Sequence, residues 1–239
     1  MDNTFTLQLP TIIADFEKRG LVTRTFRRLD ESRQLAIINA IMEESAENGP
    51  DEINIKKVAV RAGVSIGSLY QYFNHREGLL NFAIALTVQQ TVTSFNSFLP
   101  YLDQLSFEEA FQIYLNTGVE WGKEEQQFMR FFAKSAYQQH PELQESVVRP
   151  IADCMLNIMQ SMVQLAQQKG QIRSDLDTVI LARLLHAISI TLGDPALLPE
   201  LNTYFQVADA KGSIEPVYAV LLEILKHGLL TDANTEEQA

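Results

Sequence analysis

Residues Asn54 to Leu80 read NIKKVAVRAGVSIGSLYQYFNHREGLL, and the pattern leaves this stretch few ways to fold. Ile55, Val58, Ala59 and Ala62 recur at i, i+3, i+4 and i+7, which gathers them on one face of a helix, and Asn54 ahead of them can cap free backbone amides. Gly63 then supplies a residue that takes positive φ at a helix end without steric cost. Val64 can pack beneath the turn, and Ser65 can cap a second helix. In that second helix Ile66, Leu69 and Phe73 fall within about one sixth of the circumference, which fixes the buried side. The opposite side carries Gly67, Ser68, Tyr70, Gln71 and Asn74. Small neutral hydrogen-bonding groups suit base edges and phosphate oxygens, and a glycine lets the backbone approach a duplex closely. A helix that merely faces water more often carries Glu and Lys. Two short helices, a tight turn and a basic junction at His75 and Arg76 make the outline of a DNA-reading helix-turn-helix.

These residues resemble the signature of the tetracycline-repressor (TetR/AcrR) family of one-component transcriptional regulators, T-V-x-x-I-A-x-x-A-G-V-S-x-G-T-L-Y-x-Y-F-x-x-K-E-x-L. The chain reads N-I-K-K-V-A-V-R-A-G-V-S-I-G-S-L-Y-Q-Y-F-N-H-R-E-G-L over Asn54 to Leu79, about a ninth of its length. Asn54 stands where the family has Thr, Ser68 where it has a second Thr, and Arg76 where it has a Lys that often meets a phosphate; each keeps a hydrogen-bonding or cationic group. The resemblance implies an all-α protein, with an N-terminal three-helix DNA-binding domain joined to a larger helical ligand-binding and dimerisation domain. It also implies a homodimeric, ligand-responsive repressor of a palindromic duplex operator. Ser68, Tyr70 and Gln71 then approach bases or phosphates, Asn54, Lys56, Tyr72 and Arg76 fix position on the backbone, and Ser65, Ile66, Gly67, Asn74 and His75 complete the contacting set.

A net charge of −11 is unusual for a DNA binder, because Lys and Arg on phosphates supply most non-specific affinity. Its distribution answers the objection. Residues 1–78 hold 10 basic and 11 acidic side chains, net −1, and residues 79–239 hold 9 and 19, net −10. Ile53 to Arg76 contains Lys56, Lys57, Arg61 and Arg76 without an acid, and Phe16 to Arg28 sets Lys18, Arg19, Arg24, Arg27 and Arg28 against Glu17 alone. Two basic strips on an acidic body confine nucleic-acid contact to one surface. Arg24, Arg27 and Arg28 read either as an arm reaching a minor groove or as a solvated tail.

Residues 1–29 are expected to be a partly mobile extension, with a helical turn or two from Thr11 to Arg19. Residues 30–78 form the DNA-binding domain, 79–230 the ligand-binding and dimerisation domain, and 231–239 a tail. Asp30 to Asn48 is a supporting helix with Leu35, Ile38, Met42 and Ala46 on one face. Beyond Leu79, helices are expected over Leu79 to Phe98, from Ser106, with its capping-box partner Glu109, to about Trp121, and over Glu124 to Gln139. A segment from Pro141 to Lys169 is divided by Pro150, another opens at Ser174 and Asp177 and ends near Gly193, and the last runs from about Ser213 to Leu230. No stretch alternates with period two. Helices 174–192 and 213–230 are too widely apolar for a surface helix; they need cover on several sides, and in the family the corresponding pair packs against its twin.

Gly63-Val64-Ser65-Ile66-Gly67 matches G-x-S-x-G, the nucleophile elbow of a hydrolase, but that elbow requires a strand before the turn and the preceding residues have helical spacing. The alternative of a hydrolase or small-molecule carrier with an incidental helix-turn-helix rests on that match. Four scattered histidines and one cysteine, Cys154, show no metal-ligand spacing, so no catalytic residue, metal or cofactor is expected. Asp175 and Asp177 are expected to serve a helix N-terminus. No leader precedes the first helices and the apolar segments are short or carry charges, which implies a cytoplasmic protein without a membrane span. Phe111, Tyr114, Trp121, Phe128, Phe132, Met155 and Met159, with His186, read first as core; the resemblance implies that they line a cavity for a small apolar or aromatic effector.

Overall fold

A computed structural model describes residues 3–120, 126–138, 140–208 and 213–229, and all regular structure among them is helical. The helices are α1 (Asn3–Lys18), α2 (Arg24–Arg27), α3 (Glu31–Asn48), α4 (Ile55–Ala62), α5 (Ile66–Phe73), α6 (His75–Phe98), α7 (Phe107–Glu120), α8 (Gln126–Tyr137), α9 (Pro141–Leu143), α10 (Arg149–Gln168), α11 (Thr178–Leu197), α12 (Asn202–Phe205) and α13 (Glu215–Leu229). They form two compact units, Met1–Val92 with Trp121–Ile151, and Thr93–Glu120 with Ala152–Ala239.

The first unit is built around α3, whose N-terminus Asp30 caps by accepting the Arg33 N–H at 3.0 Å. Ile37, Ile38, Ile41, Met42 and Ser45 are its buried stripe, and α4 and α8 pack on it. Leu35 of the expected face is half-buried, because the stripe is centred nearer Ile38 and Ile41. The helical turn or two expected from Thr11 to Arg19 is a longer helix, Asn3–Lys18. Leu9, Ile12, Ile13 and Phe16 recur at i, i+3, i+4 and i+7 along α1 and all are buried. Phe16, Phe26, Phe73 and Phe82 form one aromatic cluster, with ring centroids 4.9 to 6.0 Å apart in its touching pairs.

α8 joins this unit through the end of α3. Lys134 donates its ammonium to the Glu47 carbonyl, and the Gln138 amide fills the place where a side chain on Gly49 would stand. Gln144 closes the C-terminus of α8, donating Nε2 to the carbonyls of Ser135 and Gln138 at 3.0 and 3.2 Å. The division expected at Pro150 is a five-residue π-helical turn, Gln144–Val148, closed by the Arg149 N–H donating to the Gln144 carbonyl; Pro150 then stands in the first turn of α10.

In the second unit the capping box at α7 forms as its sequence implies. The Glu109 N–H donates to Ser106 Oγ at 3.2 Å, and the Ser106 N–H donates to the Glu109 carboxylate at 2.9 Å, which holds that carboxyl below its usual range. α11 starts later than expected, since Asp177 rather than Ser174 is its cap and accepts the Ile180 N–H at 2.9 Å. Asp175 turns to Arg173 instead of serving the helix. The helix also continues past Gly193 to Leu197, because Leu192 and Leu197 both bury. By length and composition it could cross a membrane, although it carries Arg183 and Asp194. α13 starts at Glu215, two residues after the expected Ser213.

Candidate nucleic-acid interface

The helix-turn-helix is α4 and α5, and each cap read from the sequence is present. Asn54 Oδ1 accepts the N–H groups of Lys56 and Lys57 at 3.0 and 3.3 Å. Gly63 has φ +65°, and its open side explains why the chain turns there. Val64, half-buried, donates its N–H to the Ala59 carbonyl at 3.0 Å. The Ser65 oxygen accepts the Ser68 N–H at 3.0 Å and lies 2.9 Å from the Ser68 hydroxyl. Ser65 is thus a helix cap between two helices. A nucleophile elbow needs a strand there, and none exists among the described residues, so the hydrolase alternative loses its support.

Leu69 and Phe73 of α5 are fully buried, as their spacing requires, while Gly67, Tyr70 and Gln71 are exposed. Ile66 and Ser68 are half-buried at the edge of that surface. Tyr70 and Arg76 join Asn54, Ile55, Lys56 and Ile66 in lining an open groove of about 450 Å³ between the start of α4 and the outer face of α5. The Tyr70 ring lies 5.8 Å from that of His75, and Asn74, His75 and Arg76 are exposed at the junction to α6. Asn74 and His75 both have positive φ, 51° and 79°, a backbone that most side chains avoid. Tyr72 differs from the rest of the expected set. It is buried with its ring against Phe26, so it reaches outward far less than Tyr70 does.

The charges are arranged more selectively than the sequence strip suggests. Glu44, fully buried on α3, accepts Asn48 Nδ2 at 2.8 Å and the Asn54 N–H at 3.4 Å. Its other oxygen faces Arg61 at 3.5 Å. Arg61 also pairs with Glu43 and Glu47; the Arg61 bond holds the Glu47 carboxyl below its usual range and raises the Arg61 guanidinium in turn. Lys57 points to the Glu44 carboxylate at 3.9 Å. Arg61 and Lys57 therefore lock α4 onto α3, and Lys56 and Arg76 carry positive charge at the groove, against the one acid in its lining, Glu52. Sequence reasoning missed this split because the partnering acids lie one helix upstream.

It also missed Thr23, which donates its hydroxyl to the Gln71 carbonyl at 2.8 Å and its N–H to the Tyr72 carbonyl at 2.9 Å. Thr-Arg-Thr-Phe at Thr23 to Phe26 does carry a capping residue, but a single turn offers no periodicity to flag it.

The expected effector residues divide. Phe128 and Phe132 are buried in the first unit, whereas Phe111, Tyr114, Met155, Met159 and His186 belong to the second; Trp121 lies outside the described residues. In the second unit Phe107 and Phe111 stack with centroids 5.8 Å apart, and Tyr114 lies 6.0 Å from Phe95. The Tyr114 hydroxyl and His186 Nδ1 are buried without a hydrogen-bond partner, and the Tyr218 hydroxyl on α13, which the sequence did not single out, shares that condition. Burial raises the Tyr114 phenol well above its usual range, pushes Tyr218 up to about 12 and lowers His186. A gap lined by Phe107, Ala110, Met162 and Ala166 holds about 10 Å³, too little for more than a water.

Comparison with known proteins converges on one group. Residues 37–82 match the family described as bacterial regulatory proteins, tetR family. The chain is 26% identical over 168 residues, 70% of its own length and 80% of the relative's, to the HTH-type transcriptional regulator PksA of Bacillus subtilis strain 168. Its fold is similar to that of the transcriptional regulator FadR from Bacillus subtilis in complex with stearoyl-CoA, with TM-score 0.61 and 20% identity over 80% of this chain and 96% of that one. A transcriptional regulator from Saccharomonospora viridis in complex with choline gives TM-score 0.66 and 15% identity over 84% and 99%. At these identities the two structures speak for the fold alone.

Proposed function

We propose that the chain, whose residues 37–82 match the tetR family of bacterial regulatory proteins, is a homodimeric repressor of that family which grips a palindromic operator through α5 and lets go when a small effector binds. It is a transcriptional regulator and not an enzyme. The observation that carries the reading is the uncovered face of α5. Gly67, Tyr70 and Gln71 are solvent-exposed next to a groove holding Lys56 and Arg76, while the opposite face is fully buried. In this reading Ser65, Ile66, Gly67, Ser68, Tyr70 and Gln71 enter the major groove. Asn54, Lys56, Asn74, His75 and Arg76 hold phosphates, and Tyr72, being buried, contributes at most its phenolic edge.

The effector is proposed to bind in the second unit. Phe111, Met155 and Met159 supply apolar surface, and the unpartnered polar atoms of Tyr114, His186 and Tyr218 supply orientation. Regulators of like fold hold ligands as different as stearoyl-CoA and choline, and the apolar surface here favours a small apolar or aromatic molecule with a polar group. Release works by population shift: the effector must prefer a dimer whose reading helices are wrongly spaced, with a coupling on the usual scale of about 1 to 3 kcal/mol. α6 is the lever, since its residues run from the reading unit directly into the second unit at Val92 and Thr93. A regulator of this kind works in the cytoplasm, where its operator is.

The test is selection of duplexes from a random-sequence pool, followed by mobility shifts. Gln71→Ala is expected to change sequence preference, and Arg76→Ala to flatten the salt dependence of binding by about one unit of slope. A protein that retards no selected or genomic duplex sinks the proposal. Uniform weakening by Gln71→Ala across all operators removes that residue from base reading.

A further inference from the structure

The one-turn helix α2 is fastened to the far end of the reading helix. Thr23 donates its N–H to the Tyr72 carbonyl at 2.9 Å and its hydroxyl to the Gln71 carbonyl at 2.8 Å, two acceptors that a helix C-terminus otherwise leaves without a partner. The same hydroxyl oxygen accepts the Phe26 N–H at 3.4 Å and so caps α2. From the other side Gln34, buried on α3, donates Nε2 to the carbonyls of Phe26 and Arg27 at 3.1 and 3.2 Å. Phe26 itself is fully buried, its ring 5.0 Å from that of Phe73. Anchored on three sides, this turn is neither the flexible arm nor the solvated tail that the basic residues alone suggest.

Its cations are sorted. Arg27 turns back to pair with Glu17. Arg24 and Arg28, four residues apart and therefore on one side of the turn, are exposed, and no carboxylate among the described residues pairs with either. Phosphates flank the groove that a reading helix enters, and a cation on a pre-fixed turn loses little freedom when it meets one.

We propose that Arg24 and Arg28 are DNA-phosphate contacts, and that Thr23 is a positioning residue which holds them in register with α5. The proposal rests on the reading of the chain as a helix-turn-helix regulator, and adds a second grip on the backbone, from α2, at the C-terminal end of the reading helix. Because the contact is to phosphate, it acts on every sequence alike.

The experiment uses the full chain and a duplex that the wild-type protein selects from a random pool, with binding measured over a salt series. Arg24→Ala and Arg28→Ala are each expected to lower the slope of log K against log salt by about one unit, and the double variant by about two, with unchanged base preference. Arg27→Ala is the control that leaves the slope as it is. Thr23→Val is expected to weaken binding and reduce the slope, and Thr23→Ser to restore both; thermal melting of each variant confirms that it is folded. If Arg76→Ala reduces the slope while the Arg24 and Arg28 variants match wild type, this proposal fails and the operator-binding reading stands. A change in base preference at Arg24 or Arg28 likewise overturns the phosphate assignment in favour of groove insertion. If the wild-type protein selects no duplex, both readings fall together.

Discussion

Gly67 and Gly78 both lie in the reading segment and lack a side chain for opposite reasons. A Cβ on Gly78 would stand 1.7 Å from the Phe73 carbonyl oxygen, so the junction into α6 closes only around a glycine. A Cβ on Gly67 meets nothing nearer than Ser65 Oγ at 3.7 Å, which is ordinary contact. The protein itself therefore has room for a methyl group at Gly67, and in the proposed reading the bare backbone there faces the duplex. Gly78→Ala is expected to cost about 1 to 3 kcal/mol of unfolding free energy in a urea titration, as overpacking does. Gly67→Ala, in the first turn of α5 at a backbone conformation alanine accepts, is expected to gain about 0.4 to 1 kcal/mol in the same titration and yet to bind the operator more weakly. Undiminished operator affinity in Gly67→Ala would mean that α5 does not approach the duplex at that point. The role of Gly67 was legible because it follows from which side of α5 is apolar. That of Gly78 was not, because its close neighbour is produced by the paired positive φ values at Asn74 and His75, which spacing does not reveal.

The helices differ in how much of their role their own residues encode. α3, α4 and α5 could be read in advance since caps and apolar spacing are local properties, and Asp30, Asn54, Gly63 and Ser65 all act where the pattern places them. What periodicity does not encode is the partner. α8 was read as a helix, but its attachment to α3 depends on Gln138 meeting the bare Gly49 and on Lys134 reaching the Glu47 carbonyl, contacts between residues far apart in sequence. Phe128 and Phe132 were accordingly grouped with aromatic residues of the other unit. α1 and α2 show the same gap between pattern and partner. Leu9, Ile12, Ile13 and Phe16 already stand at helical spacing, yet it is the cluster of Phe16 and Phe26 with Tyr72, Phe73 and Phe82 that shows α1 and α2 built into the reading unit. Phe26→Ala is therefore expected to destabilise that unit by about 3 to 5 kcal/mol, the scale for removing a buried phenylalanine. Hydrogen exchange measures this directly: amides of α2 and α5 should lose protection together. Loss confined to α2 would show that the extension is an appendage rather than a support.

At the scale of the molecule, charge and exposed apolar surface assign different work to different parts of the chain. The first 78 residues are nearly neutral at net −1 while the remainder carries net −10, so a polyanion is drawn to the exposed cations beside α5 and repelled elsewhere. The second unit in turn shows apolar side chains where a monomer would show polar ones. Ile180 and Leu184 on α11 are 67% and 57% exposed, and Val220 and Ile224 on α13 are 60% and 63% exposed, each pair one helical turn apart. Contiguous apolar faces of this kind mark interfaces, and an isologous pairing of α11 and α13 with their twins would bring two reading helices to half-sites about 34 to 36 Å apart. A charge in the middle of the face separates this function from folding. Leu184→Glu combined with Ile224→Glu is expected to sediment as a monomer at concentrations where the wild type is a dimer, with its helical circular dichroism unchanged because both positions are already in water within the subunit. Operator affinity should then fall by about 10² to 10⁴, since the second half-site no longer benefits from a tethered partner. A double variant that still sediments as a dimer would place the interface elsewhere. A monomer that keeps wild-type affinity would mean that a single reading helix suffices, and the palindromic operator would lose its rationale.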